Sequence, residues 1–191
     1  MYDVQLTESL FAAEVDDSVR EITIGDLLRE VAAEYPSAPA LVEVKPEGDT
    51  RRRWTYHELL SDSEKLALAL STRFHPGERI TVWAPNVPEW LLMEYACAFA
   101  GIILVTANPA YQSRELRYVL KQSDSVALFR VESYRGNPMG QIAIQATQGL
   151  DAIREIVDLE DRKAMYRAGE QASMLPEVAP GDAVMIQYTS G

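Results

Sequence analysis

The sequence predicts an α/β fold, and three observations carry that prediction. Residues 79–129 alternate strand, helix, strand, helix and strand in their apolar patterning. The middle strand, Ile102-Ile103-Leu104-Val105-Thr106, is apolar almost throughout, as parallel strands covered on both faces are. The helix before it is apolar on nearly every side and stops at Gly101, a residue free to take the left-handed conformation that ends helices. A β-α-β-α-β order requires parallel pairing through right-handed crossovers, so the segment reads as doubly wound.

Residues 1–20 are polar and acidic with scattered apolar positions and read as an irregular lead-in. Ile24, Leu27, Leu28, Val31, Ala32 and Tyr35 then form one stripe at helical period, with Thr23 as N-cap and Pro36 as the stop. Residues 40–44 and 53–55 flank Pro46-Glu47-Gly48-Asp49 and predict a hairpin. Thr55 and Glu58 fit a capping box for a helix running to about Arg73, with Leu59, Leu66, Ala67 and Leu70 inward. His57 falls in its first turn and is expected exposed.

Arg79–Ala84 is the first strand of the regular region. Asn86 is the expected cap of the helix that follows, with Pro88 tolerated in its first turn. A helix over Tyr111–Gln122 carries Leu116, Val119 and Leu120, and Ser125–Phe129 is a strand. Residues 139–147 read as a helix broken by Gly149, residues 153–159 as a strand, and residues 161–179 as a polar stretch with a short helix. Residues 182–188 form a terminal strand that runs into Thr189-Ser190-Gly191. Two hydroxyls and a glycine at a strand end can turn backbone N–H groups toward an anion, although an isolated Thr-Ser-Gly is more often a plain turn.

Composition narrows the function classes. The 191-residue chain is 47% hydrophobic and 25% charged, within the range of globular proteins. A net charge of −11 argues against a nucleic-acid surface. The one basic run, Arg51-Arg52-Arg53, reads as a solvated hairpin edge. The lone cysteine, Cys97, cannot form an internal disulfide; buried in an apolar helix, it fits a reducing compartment and a cytoplasmic protein. His57 and His75 have no partners at metal-ligand spacing, so no side-chain metal site is expected. No signal peptide is visible at Met1-Tyr2-Asp3-Val4. The apolar run from Trp90 to Ala107 is split by Gly101, and a helix of roughly 16 Å covers about half of a bilayer core, so no transmembrane segment is expected.

Four stretches, taken together, resemble the N-terminal part of the adenylate-forming enzymes: acyl-CoA synthetases, firefly-type luciferases and peptide-synthetase adenylation domains. Trp54-Thr55-Tyr56-His57-Glu58-Leu59 is similar to the family's Thr-Tyr-x-Glu-Leu helix start. Gly77–Val82 with Asn86 and Glu89-Trp90 is similar to its first βα unit, and Gly101–Val105 through Asn108-Pro109 to the next strand and loop. Residues 182–191 are similar to the strand and opening residues of its phosphate loop, Thr-Ser-Gly-(Ser/Thr)-(Ser/Thr)-Gly-x-Pro-Lys. Asn108-Pro109-Ala110-Tyr111-Gln112, Glu115-Leu116 and Tyr118-Val119-Leu120-Lys121 are most similar to the medium- and long-chain fatty acyl-CoA synthetases.

The resemblance implies that residues 21–191 are an incomplete N-terminal domain of an AMP-binding enzyme, truncated inside the phosphate loop. It implies an ATP-dependent acid–CoA ligase that activates a fatty carboxylate as acyl-adenylate, with Mg2+ on the phosphates, and passes the acyl group to CoA. Thr189 is then a hydroxyl donor to phosphate, Ser190 the next, and Gly191 permits close backbone approach. The loop's later Gly and Lys, the Glu-bearing motif, the ribose-binding Asp and the C-terminal Lys have no counterpart in this chain, so no catalytic residue is assigned and the stretch alone is expected to be inactive. Two other readings remain open at this point: a non-catalytic α/β binding or interaction domain, and an adenylation domain for an aryl or amino acid.

Overall fold

A computed structural model describes residues 20–44, 47–169 and 174–188. The predicted lead-in, apart from Arg20, and the phosphate-loop residues Thr189, Ser190 and Gly191 lie outside them. Thr23 caps α1 (Ile24–Glu34) as predicted, its Oγ1 accepting from the Asp26 N–H at 2.9 Å. Only the middle of the expected stripe is fully covered. Leu28 and Ala32 are buried, whereas Ile24 and Leu27 stay exposed at its edge. Gly25 lets α1 lie close to its neighbour, because a Cβ there would sit 2.6 Å from the Phe99 ring.

The predicted hairpin is β1 (Pro39–Val44) paired antiparallel with β2 (Thr50–Thr55). Its arginine run is not uniformly solvated. Arg51 and Arg53 are exposed, but Arg52 donates from Nε to Glu43 Oε2 at 2.5 Å and through its Nη atoms to Glu89. The guanidinium also lies over the Trp54 ring at 5.4 Å. The hydrogen bond from Arg52 holds the Glu43 carboxylate below its ordinary value, although burial pulls the other way. A carboxylate depressed in the fold contributes stability that is present above about pH 4.5 and is lost as the pH falls through its lower folded value. Glu43→Gln is therefore expected to flatten the acid limb of a plot of Tm against pH below about 4.5. An unchanged limb would show that Glu89 alone holds Arg52.

The capping box of α2 (Tyr56–Ser71) forms, with Thr55 Oγ1 accepting from the Glu58 N–H and Glu58 Oε2 accepting from the Thr55 N–H at 2.8 Å. Leu59, Leu66, Ala67 and Leu70 are buried and His57 is exposed, as the periodicity predicts. After α2 come β3 (Arg79–Trp83), α3 (Pro88–Ala100), β4 (Ile103–Ala107), α4 (Ser113–Gln122), β5 (Ser125–Arg130) and α5 (Met139–Thr147). Then follow β6 (Glu155–Asp158), α6 (Arg162–Met165) and β7 (Met185–Gln187). Five of these strands form one sheet in the order β6-β5-β3-β4-β7, every pair parallel.

Right-handed crossovers assign the helices to faces. The step from β3 to β4 runs toward β7, whereas the steps from β4 to β5 and β5 to β6 run the other way. α3 therefore lies on one face, packed with α2 and α1, and α4 and α5 pack together on the other. Trp83, Leu104, Val105, Leu128 and Phe129 are almost wholly buried between the layers. A buried hydroxyl chain ties β3 to β5, with Thr81 Oγ1 and Ser123 Oγ each 2.7 Å from Ser125 Oγ.

Several boundaries differ from expectation for local reasons. Asn86 does not cap α3. The cap position is Val87 with no side-chain bond, and Pro88 at the first helical position lacks an N–H to satisfy. α4 starts at Ser113 rather than Tyr111, with Gln112 at the cap position and its N–H donating to Glu115 Oε2 at 2.8 Å. The predicted strand over 153–159 pairs only across 155–158, and the terminal strand only across 185–187. Gly101 ends α3 with φ of 65°, as predicted. Cys97 is fully buried, and burial pushes its thiol far above the ordinary value, which suits a small packing residue.

Candidate functional site

In open parallel sheets the ligand crevice lies beyond the C-terminal ends of the strands, at the point where neighbouring connections leave on opposite faces. Here β3 meets that condition with both of its neighbours, since α3 sits on one face and the helices after β4 and β5 on the other; β4 is the neighbour that pairs with β7. The paired ends of β3 and β4 are Trp83 and Ala107. The Trp83 indole N–H donates to the Asn108 carbonyl oxygen at 2.8 Å, so the buried ring of β3 fixes the loop after β4. Asn108 shapes that loop further, since its Oδ1 accepts from the Ala110 N–H at 2.9 Å. This is the Asn-Pro turn the sequence singled out, and its role here is to set the rim.

The rim continues over the next strands. Gln112 Nε2 donates to Asn137 Oδ1 at 3.0 Å, bracing the loop after β4 against the loop after β5. Arg130, the last residue of β5, donates from Nη1 to Asp158 Oδ2 at 2.9 Å and to Glu132. Sequence reasoning missed both braces. They join residues about 25 and 28 positions apart, from two loops in one case and from the ends of β5 and β6 in the other, and no local pattern signals such a pairing.

β7 delivers the chain to the same edge. Its pairing with β4 puts Gln187 beside Thr106, so Tyr188 stands level with the Asn108 turn. Tyr188 packs against the core, and its hydroxyl lies 3.5 Å from the Val119 carbonyl oxygen of α4. Burial pushes its phenol pKa upward, with the Tyr118 and Tyr111 phenols adding to the shift. The expected phosphate-binding residues Thr189, Ser190 and Gly191 follow directly in sequence but lie outside the described residues. Among the described residues no group of three or more His, Cys, Asp or Glu side chains could hold a metal ion, so no Mg2+ ligand is assigned in this stretch. No helix among them is long and apolar enough to cross a membrane.

The stretch after β6 is tied to α2 and the turn that follows it by a set of contacts. The side chain of Arg73, just past the end of α2, is buried; it donates from Nη1 to Glu155 Oε1 at 3.1 Å and from Nη2 to the Met165 carbonyl oxygen at 2.8 Å. The Gly169 N–H donates to Thr72 Oγ1 at 2.5 Å, and a Cβ on Gly169 would meet the Thr72 carbonyl oxygen at 2.5 Å. The Tyr166 hydroxyl reaches the Asp62 carbonyl oxygen at 3.3 Å; burial, then the Asp62 carboxylate, pushes its pKa up to about 12. Met165, Tyr166 and Gly169 are thus held to α2 and the turn after it.

The described residues form a parallel sheet with an Asn-Pro turn at the end of β4, beside the last strand, β7. The family model for AMP-binding enzymes matches residues 28–191, and the chain belongs to that family. The protein named YngI of Bacillus subtilis is 41% identical over 115 residues, covering 60% of this chain and 20% of that protein. The human mitochondrial medium-chain acyl-CoA ligase ACSF2 is 39% identical over 118 residues, covering 59% of this chain and 18% of that protein. Among solved structures, a fatty acyl-CoA synthetase of Mycobacterium tuberculosis superposes with a TM-score of 0.72 at 23% identity, covering 88% of this chain and 32% of that one. A long-chain-fatty-acid-CoA ligase of Archaeoglobus fulgidus gives 0.74 at 20% identity, covering 89% and 35%. These structural likenesses bear on fold alone, and they match the predicted class. The chain spans about a fifth or less of the length of these curated relatives.

Proposed function

We propose that the protein to which this chain belongs is an ATP-dependent acid–CoA ligase acting on a medium- or long-chain fatty acid. The observation that carries this reading is the level of identity, about two-fifths, to a relative named as a medium-chain acyl-CoA ligase. In such a reaction the fatty carboxylate attacks the α-phosphorus of ATP. The bond from that phosphorus to the bridging oxygen breaks, and pyrophosphate leaves with the electron pair. The CoA thiol then adds to the acyl carbon and AMP departs. Magnesium supplies charge neutralisation on the phosphates when bound.

The part assigned to this chain is narrow. Thr189 and Ser190 donate hydroxyl hydrogen bonds to the departing phosphates, and Gly191 keeps the backbone close enough for its N–H to take part. β7, pinned through β4 to the Trp83–Asn108 turn, sets where that loop begins. The remaining catalytic groups belong to other parts of the protein, and residues 1–191 alone are proposed to have no ligase activity. A reducing compartment, the cytoplasm in the simplest case, is proposed from the single buried cysteine.

The test is exchange of labelled pyrophosphate into ATP by the full-length protein, with candidate acids supplied one at a time. Exchange supported by fatty acids, followed by acyl-CoA formation when CoA is added, is the expected result. Exchange supported only by aryl or amino acids would assign an adenylation domain. No exchange with any acid would assign a non-catalytic relative of the fold.

A further inference from the structure

Between the hairpin and the start of α3 lies a hollow of about 370 Å³, lined by Leu41, Val42 and Val44 on one side and by Val87, Trp90 and Leu91 on the other. Glu43 borders it too, so consecutive residues of β1 face it. Successive side chains of a strand point to opposite faces, and a hollow that consecutive residues share therefore runs along the strand's edge. That edge is the one away from β2, and among the described residues no other strand pairs with it. The margin favours negative charge. Val87, at the cap position of α3, makes no side-chain bond, so the positive end of the helix dipole borders the hollow uncapped. Val42 pairs in register with Arg53, so these two exposed side chains share a face of the hairpin.

We infer that the lead-in of this same chain, residues 4–15, docks in the hollow. Leu6, Leu10 and Phe11 pack on its apolar walls, and the neighbouring carboxylates face Arg53 and the start of α3. The composition of the segment is complementary to the hollow. Residues 1–19 hold five carboxylates, Asp3, Glu8, Glu14, Asp16 and Asp17, interleaved with apolar residues and with no Lys or Arg. The path is short as well. Arg20 Nη2 donates to Glu30 Oε2 at 2.7 Å, near the end of α1 from which the chain enters β1. Gly25 lies against Phe99, and Leu91 is roughly 12 Å back along α3 from there. The chain from Arg20 to Phe11 can span up to roughly 30 Å. A second copy seated on the hollow is disfavoured, because a two-fold contact sets the same surface opposite itself and brings Arg53 toward its own counterpart. The inference concerns packing and is independent of the ligase reading.

Disulfide trapping in the full-length protein tests this. Phe11→Cys is combined with Val44→Cys in the hollow or, as a control, with Leu27→Cys on α1. Val44 and Leu27 are 62% and 43% exposed, so neither substitution empties a packed site, and Cys97 is fully buried and does not compete. Leu27 is closer to Phe11 along the chain, so an undocked lead-in closes the control pair at least as fast as the other. Docking raises the effective concentration of the thiols in the hollow, and that pair is expected to close at least about tenfold faster than the control. Arg53→Glu is expected to slow it about threefold or more and to leave the control unchanged. Peptides joined after mild oxidation and quantified by mass spectrometry give both rates. Equal rates for the two pairs would overturn the inference, as would a hollow pair indifferent to Arg53→Glu. Links between differently isotope-labelled chains, rather than within one, would also overturn it and would assign the hollow to the lead-in of another copy.

Discussion

Replacing Thr189 by alanine in the full-length protein is expected to lower acid-dependent adenylation roughly 10²-fold to 10³-fold, the usual cost of losing one preorganised donor to developing charge. The loss falls on the chemical step because phosphate charge is greatest as pyrophosphate departs. Binding of ATP in the ground state weakens less. Thr189→Ser keeps the hydroxyl and is expected to retain most activity. Ser190→Ala is expected to cost less than Thr189→Ala. Single-turnover rates measured at saturating ATP check the order, and Tm of each variant shows that the fold is intact. Equal activity of Thr189→Ala and the parent protein would remove Thr189 from the phosphate site.

The largest effect on stability is expected at Arg73. Its guanidinium is buried among Glu155, the Met165 carbonyl oxygen and the rings of Phe74 and Phe129. Breaking a buried ion pair from one side costs about 3–5 kcal/mol, because the abandoned charge stays out of water. Glu155 retains Arg167 at 2.5 Å, a partner whose side chain is largely exposed, so Arg73→Met is placed at about 3 kcal/mol. Replacing Glu155 as well, as Arg73→Met with Glu155→Leu, removes the stranded carboxylate and is expected to recover part of the loss. Denaturant unfolding of the single and double variants measures both. If the double variant is as unstable as the single, the cost lies in the lost bond to Met165 rather than in the charge. Since the same contacts hold α6 beside the end of α2, Arg73→Met is also expected to loosen α6.

How legible this was depends on the range of the interaction that decides each feature. The starts of α1 and α2 could be read directly, because Thr23 and Thr55 act on donors three residues away. The parallel sheet was legible from the uniformly apolar strands and from Gly101, which ends α3 at positive φ. Asn86 misled because a capping residue type stood near a proline that needed less capping. Residues 159–169 gave little pattern beyond a short helix, since they are held by partners far away in sequence: Met165 by Arg73 and Gly169 by Thr72. The same applies to the Gln112–Asn137 brace and to the hollow between β1 and α3, each assembled from separate elements. The phosphate role proposed for Thr189, Ser190 and Gly191 rests on resemblance alone, because Thr-Ser-Gly gains its meaning from the strand and the three upstream stretches that accompany it.

The central claim is that this chain carries the approach to an adenylate-forming site for a fatty acid. Pyrophosphate exchange by the full-length protein tests it most directly. The account predicts exchange that requires a medium- or long-chain fatty acid and falls with Thr189→Ala. Exchange absent with every carboxylate, or present only with aryl or amino acids, would contradict it.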